Sequence, residues 1–338
     1  MMESVPLFPE QASAHAEQVD ALYFFLLGVS GFFIALIAGL LVFFAIKYRR
    51  RSDADRPAAT AESTKLKVAE LVIPLLIALF IYVWGAQLYL RWATPPDDCM
   101  EIYVVGKQWM WKFQHLRGQR EINELHVPVN QPVKLTMISQ DVIHSFFVPA
   151  FRIHQDVLPG RYRTLWFQAT KPGKYHLFCS QYCGTDHSNM VGSVIVMEKG
   201  AFDAWLAAGG DGSMAAEGRK LFQKLQCVTC HSADAHARAP VLEDLYGTTV
   251  HLQDGSAVRA EDAYIRESIL YPDAKIVAGF RPIMPSYQGQ IDEEEIAQLT
   301  AFIKSLRPGQ TPRRNEEAEP PLALPAGRLP EKRLRKSP

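Results

Sequence analysis

From Ala21 to Ile46 the chain carries no charged side chain, and from Leu71 to Leu90 again none. A helix rises about 1.5 Å per residue, so each run can cross the ~30 Å hydrocarbon layer of a bilayer. Two buried core helices are the soluble alternative, but uncharged runs of this length read as a transmembrane hairpin, with helices over about 21–46 and 69–91. Pro74 then falls within about the first turn of the second helix, where a missing N–H costs least. Between the runs lie Lys47, Arg49, Arg50, Arg51, Arg56, Lys65 and Lys67, whereas the segment before the first run holds Glu3, Glu10, Glu17 and Asp20 and no Lys or Arg. The positive-inside rule puts the loop in the cytoplasm and both termini outside. No basic n-region precedes the first run, so no secretory signal is read. Trp84, Tyr89 and Trp92 sit near the outer end of the second helix, as an aromatic belt would. The expected location is a bacterial inner membrane, with the soluble portion in the periplasm.

The chain then divides by pattern. Residues 1–94 form the N-terminal segment and hairpin. Residues 95–200 read as strands: VKLTMIS, RTLWFQA, KYHLFCS and GSVIVME are short and rich in β-branched and aromatic residues, with turn signals between them. An antiparallel sandwich or barrel is expected. Residues 201–214 read as a linker, with a short helix and a flexible joint. Residues 215–307 are helical in pattern, and Asp292 with Glu295 fits a capping box. Residues 308–338, rich in Pro and charge, read as a disordered tail. Lys+Arg and Asp+Glu both number 36, and this zero balance gives no reason to expect a nucleic-acid partner.

CVTCH, residues 227–231, has the C-x-x-C-H pattern of covalent c-type haem attachment. Cys227 and Cys230 would add to the haem and His231 would ligate the iron. A redox dithiol or half a zinc site would share the Cys pair, but no second pair follows and no βαβ pattern surrounds it. The other axial ligand is expected to be Met284, the only methionine after Cys227, because a Met opposite a His raises the haem potential. His236 and His251 compete for that role. Residues 215–307 resemble a class I cytochrome c.

CSQYCGTDHSNM, residues 179–190, is harder to read. An external location allows a Cys179–Cys183 disulfide. That pairing leaves His187 and Met190 unexplained. Zinc rarely accepts a thioether, whereas thiolate, thioether and imidazole together suit copper. Two cysteines in one loop suggest two coppers bridged by two thiolates, which needs a second imidazole. His115, His126, His144, His154 and His176 are all upstream, and spacing does not choose among them.

The C-x-x-x-C-G-x-x-H-x-x-M loop with the upstream H-S-F-x-x-P resembles the dinuclear copper A centre of cytochrome c oxidase subunit II. The hairpin followed by strands matches that family over residues 20–200, and the cytochrome appendix matches its fused, caa-type variants. The resemblance implies a multidomain membrane protein: a two-helix hairpin, an all-β cupredoxin-like sandwich and an all-α cytochrome c domain. It implies that Cys179 and Cys183 bridge two copper ions, with His144 and Met190 completing one, and His187 and the Gln181 backbone carbonyl the other. GKQWMWKF resembles the family's G-x-Q-W-x-W, which makes Trp109 the residue where electrons enter the copper centre. Packing of the sandwich is the plainer role for Trp109 and Trp111.

Three positions depart from the family. Gln181 stands where a Glu usually helps bind a magnesium ion shared with subunit I, and an amide is a weaker ligand for a hard cation. His154 stands in a Lys position. Glu70 lies four residues before Pro74 rather than seven, and is read as a charged helix end or a group facing subunit I. The resemblance implies the electron-input subunit of a proton-translocating respiratory oxidase. Its cofactors would be copper A and one covalent haem c. Its partners would be subunit I, subunit III and a donor such as a cytochrome c or a quinol-oxidising complex. The rival functions are a subunit of a copper A-containing nitric oxide reductase and a copper-delivery protein. Cys99 reads as a free thiol.

Overall fold

The computed structural model describes residues 8–49, 63–208, 212–232 and 238–306. The tail read at 308–338, His236 and the basic residues Arg50, Arg51 and Arg56 lie outside them. The described residues form two compact units that divide between Ser213 and Met214.

In the first unit, α1 (Ala14–Lys47) and α2 (Thr64–Ala93) are long helices whose apolar stretches bury nothing within the chain. Phe25 packs on Phe80 and Trp84 where they pair. Both run past the uncharged segments, because capping sets their starts: Ser13 and Ser63 accept the N–H groups of Ala16 and Leu66. Pro74 is therefore inside α2 rather than in its first turn, and the Glu70 carbonyl loses its helical donor there. Trp92, expected in an interfacial belt, is half-buried. Its ring stacks on His15 at 3.3 Å between centroids and lies 4.8 Å from Trp166 of the sheet domain.

Ten strands follow. β1 (Met100–Lys107), β2 (Met110–His115), β3 (Arg120–Ile122), β5 (Pro132–Ser139) and β8 (Arg163–Gln168) form one sheet in the order β3-β2-β1-β5-β8. β4 (Glu124–Pro128), β6 (His144–Val148), β7 (Ile153–Val157), β9 (Gly173–Cys179) and β10 (Val191–Met197) form the other, in the order β4-β10-β9-β6-β7. Alternate residues point inward to a shared core of Trp111, Phe113, Leu125, Phe146, Phe151 and Phe167. The pairing is not wholly antiparallel: β1 runs parallel to β5 and β4 to β10. Parallel neighbours cannot be joined by a tight turn, so each pair meets only after the chain has crossed between sheets. Met137 is core, and Met197 ends β10.

The segment before α1 belongs to the sandwich as much as to the membrane. Ala12 exchanges backbone hydrogen bonds with Ala150 and Thr170, and the Ser13 hydroxyl donates to the Phe151 carbonyl at 2.8 Å. Arg152 closes the joint. Its Nε and Nη2 donate to the two oxygens of Asp20 at 2.8 and 2.9 Å, and its other N–H bonds go to the carbonyls of Pro9, Glu10 and Pro149. After β10, α3 (Lys199–Ala208) lays Trp205 flat on His126, with 4.5 Å between centroids.

The second unit packs α4 (Met214–Lys224), α5 (Asp262–Leu270) and α6 (Glu293–Ser305) with a small hairpin of β11 (Thr249–His251) and β12 (Ala257–Arg259). The capping box at Asp292 and Glu295 is present. Gly218 marks a close crossing of α4 on α6: a Cβ there would lie 2.0 Å from the Gln298 carbonyl oxygen.

Candidate metal and haem sites

His144 opens β6 and Cys179 closes β9. These strands are hydrogen-bonded neighbours with Phe146 opposite Cys179, which brings two groups 35 residues apart into contact. Cys183 follows in the loop, His187 starts a short 3-10 helix and Met190 leads into β10. His144, Cys179, Cys183 and Met190 are buried. The two sulfurs lie 3.7 Å apart, against about 2.05 Å for a disulfide bond, so the thiols are unbonded to each other.

The donor distances form a pattern. Cys179 Sγ lies 3.9 Å from His144 Nδ1 and 3.2 Å from the Gln181 carbonyl oxygen. Cys183 Sγ lies 3.4 Å from His187 Nδ1 and 3.8 Å from Met190 Sδ. Each sulfur thus touches one of the pair His144/Met190 and one of the pair His187/Gln181. Of the five histidines between residues 95 and 178, the fold brings His144 to the thiols. His115 and His126 instead hold Glu121 between them beside Trp205.

Electrostatics around the thiols follow from burial and hydrogen bonding. Burial alone would raise the Cys179 thiol, but His144, the Ser145 N–H and the Gln181 backbone outweigh it and carry it down. Burial and the neighbouring Cys179 charge push Cys183 up. One thiol therefore ionises readily and the second resists. A cation between them would reverse that resistance, since metal ligation takes thiolates. Burial disfavours charged His144, yet bonds to Cys179 and Asp141 raise it on balance.

Outward from the donors, Asp141 Oδ1 accepts His144 Nε2–H at 2.8 Å, which fixes the tautomer and leaves Nδ1 facing the sulfur. The indole of half-buried Trp109 donates to the Cys183 carbonyl at 3.2 Å, beside the Gln108 amide at 2.8 Å. Trp111 is fully buried and meets His144 edge-on, 6.0 Å between centroids. His154 gains a setting: its Nε2 lies 2.6 Å from the Ser145 hydroxyl, which donates to Asp156 at 2.8 Å. The Ser145 carbonyl accepts the N–H of Ser180, next to Cys179. Sequence reading gave no role to Asp141, three residues before His144, or to Gln108, although Gln108 is the Gln of the G-x-Q-W-x-W stretch. The Gln181 side chain is exposed.

In the second unit, Cys227, Cys230, His231 and Met284 line one cavity of about 340 Å³, walled mainly by apolar side chains such as Leu242, Ile265 and Ile303. His231 Nδ1 donates to the Pro240 carbonyl at 2.9 Å, so Nε2 is the free nitrogen. Burial lowers the His231 imidazole against the opposing pull of that carbonyl, which favours the neutral, ligating form. The segment carrying Met284 is pinned just after it: the Ser286 hydroxyl donates to the Leu270 carbonyl and the Tyr287 hydroxyl to the Leu225 carbonyl. His251 is exposed on β11, outside this cavity. Two thiols, a tautomer-fixed imidazole and a thioether around one apolar cavity suit a haem. The thiol, imidazole, thioether and carbonyl cluster in the first unit suits copper.

Fold and sites together define a membrane-anchored electron carrier with a thiolate metal centre in a cupredoxin-like sandwich and a helical cytochrome unit. Residues 116–199 match the family described as cytochrome c oxidase subunit II, periplasmic domain, and residues 215–307 match cytochrome c. The chain is 30% identical over 223 residues to the probable cytochrome c oxidase subunit 2 of Rickettsia bellii, covering 60% of this chain and 82% of that protein. It is 27% identical over 287 residues to cytochrome c oxidase subunit 2 of Alkalihalophilus pseudofirmus, covering 79% and 81%. Among solved structures, the periplasmic domain of subunit II of the Bradyrhizobium japonicum cytochrome oxidase is 31% identical, covering 34% of this chain and 96% of that one, with a TM-score of 0.33. The chain belongs to the cytochrome c oxidase subunit 2 family, in a form with a C-terminal cytochrome c domain. It is the electron-input subunit of a haem-copper oxidase, associates with subunit I in the membrane, and has domains of the copper A and haem types.

Proposed function

We propose that the chain carries one covalent haem c on residues 215–307 and a dinuclear copper A centre on residues 95–200, both on the periplasmic side of a bacterial inner membrane. When bound, these groups supply the two redox stations between an external donor and the oxygen-reducing centre of subunit I. Cys227 and Cys230 hold the haem, with His231 and Met284 as axial ligands. Cys179 and Cys183 bridge the coppers, with His144 and Met190 on one, and His187 and the Gln181 carbonyl on the other. Trp109 is where electrons enter the copper centre. Subunit III and a donor such as a cytochrome c or a quinol-oxidising complex complete the partners, and turnover is coupled to proton translocation.

The observation that carries this reading is the split of contacts at each sulfur. Both thiols face one donor of each assigned copper at 3.2–3.9 Å, as two bridging thiolates must. His144, Cys179, Cys183 and Met190 are buried and Asp141 fixes the His144 ring, so little rearrangement accompanies a change of charge. Exposed Gln181 offers an amide where a carboxylate would hold a hard cation, so its backbone serves the copper and its side chain binds magnesium weakly.

The purified complex tests this directly. Two coppers and one covalent haem per chain are expected, with a mixed-valence electron spin resonance signal and consumption of O₂. A single labile copper would end the dinuclear assignment, and consumption of NO but not O₂ would end the oxidase assignment.

A further inference from the structure

Given the copper reading above, we infer that Gln108 is a positioning residue that braces the two arms of the metal site against each other. Its main-chain N–H donates to Asp141 Oδ2 at 2.7 Å, and the other oxygen of that carboxylate holds His144 at 2.8 Å. Its side-chain amide donates to the Cys183 carbonyl at 2.8 Å, on the oxygen that also accepts the Trp109 indole at 3.2 Å. One residue thus links the histidine delivered by β6 to the thiol delivered by the loop, and does so from the tight β1–β2 hairpin, where Lys107 pairs with Met110.

Two further features show that this approach is built into the fold. Gly184 sits at φ +116°, and a Cβ there would lie 2.9 Å from Gln108 Nε2 and 3.2 Å from the Trp109 ring. Any other residue would take a strained left-handed φ and crowd the Gln108 amide off the Cys183 carbonyl. Asp141 is itself fixed, since its Oδ1 also accepts the Val142 N–H at 2.7 Å and its own N–H donates to the Ser139 hydroxyl at 3.2 Å. The partners of metal ligands hold those ligands in place. A carbonyl held by two N–H donors and an imidazole held through the same hairpin can shift only together. Gln108 therefore limits the relative motion of His144 and Cys183 when an electron arrives, and it seats the Trp109 indole on the same carbonyl.

Gln108→Met keeps the side-chain length and removes the donor, and Gln108→Glu sets an oxygen against the carbonyl. Both leave the main-chain bond to Asp141. In the complete oxidase complex we expect either variant to keep its haem spectrum and potential, change the hyperfine pattern of the copper signal, and slow haem-to-copper electron transfer about tenfold. Loss of copper with haem retained supports the brace equally. In the copper-stripped complex, protease should cut within residues 179–190 faster in Gln108→Met than in the parent. If a Gln108 variant fails to assemble, Asp141→Asn attacks the other end of the brace and should move the same readouts. Parental hyperfine pattern, transfer rate and cleavage rate together would overturn the inference. A parent complex with no mixed-valence signal would instead overturn the copper assignment, and cleavage of the stripped chain would still decide the brace.

Discussion

Arg152→Ala should loosen the joint between the membrane hairpin and the sandwich. Arg152 is about nine-tenths buried at its side chain and Asp20 almost wholly so, at 10% and 3% exposure. The pair is bidentate, and three backbone carbonyls take the remaining guanidinium donors. Removing the arginine strands a carboxylate whose other side-chain partner, among the described residues, is the Gln11 amide at 2.8 Å. Breaking one side of a buried ion pair costs about 3–5 kcal/mol. At about 2–4 °C per kcal/mol for a unit of this size, the melting temperature should fall by roughly 6–20 °C. The assay is thermal unfolding of the detergent-purified complex, followed by cysteine accessibility in the copper loop. Asp20→Asn removes the charge that would be stranded, so the double variant Arg152→Ala/Asp20→Asn should recover part of the loss. A melting temperature within 2 °C of the parent for Arg152→Ala, with no recovery in the double variant, would refute the claim that this pair holds the joint.

Gly184→Ala should cost about 1–3 kcal/mol in backbone strain and lower copper retention, measured as metal per chain after mild chelation. Met284→Ala should keep the covalent haem but lower its midpoint potential, because a thioether opposite histidine favours the reduced state; redox titration of the haem band checks this. In the copper-stripped chain, one loop thiol should ionise below the ordinary thiol range and the other above it, Cys179 first, as followed by thiolate absorbance against pH in a Cys99→Ser background. The depressed Cys179 value means that its thiolate contributes stability above the unfolded thiol pKa. That contribution is lost as pH falls through the folded value. Gly218→Val should prevent α4 from seating on α6 and abolish haem incorporation, read from the haem stain of the chain.

Local signals carried well from sequence to structure. The uncharged runs became the two long helices and the Asp292 capping box formed. What depends on distant pairing was not legible. Nothing in the sequence near His144 says that β6 lies beside β9, and only the resemblance to a family singled it out from the five histidines between residues 95 and 178. The parallel pairs β1–β5 and β4–β10 escaped for the same reason, since turn signals report only sequential hairpins. Pro74 was misplaced because apolarity marks the membrane thickness and not the cap at Ser63. Trp92 also packs on His15 and Trp166, two rings that composition alone could not bring together.

The placement of His144 on a separate strand also sets an order of events in maturation. Five donors reside in a stretch of twelve residues, and a nascent or unfolded chain could offer them to a metal ion by itself. The sixth arrives only when β6 has paired with β9, with Phe146 opposite Cys179. On the proposed ligand set, completion of the site would therefore report on the fold: copper seated on all six donors would certify that the second sheet has closed. A chain that has not closed it would offer copper five donors without the His144 imidazole.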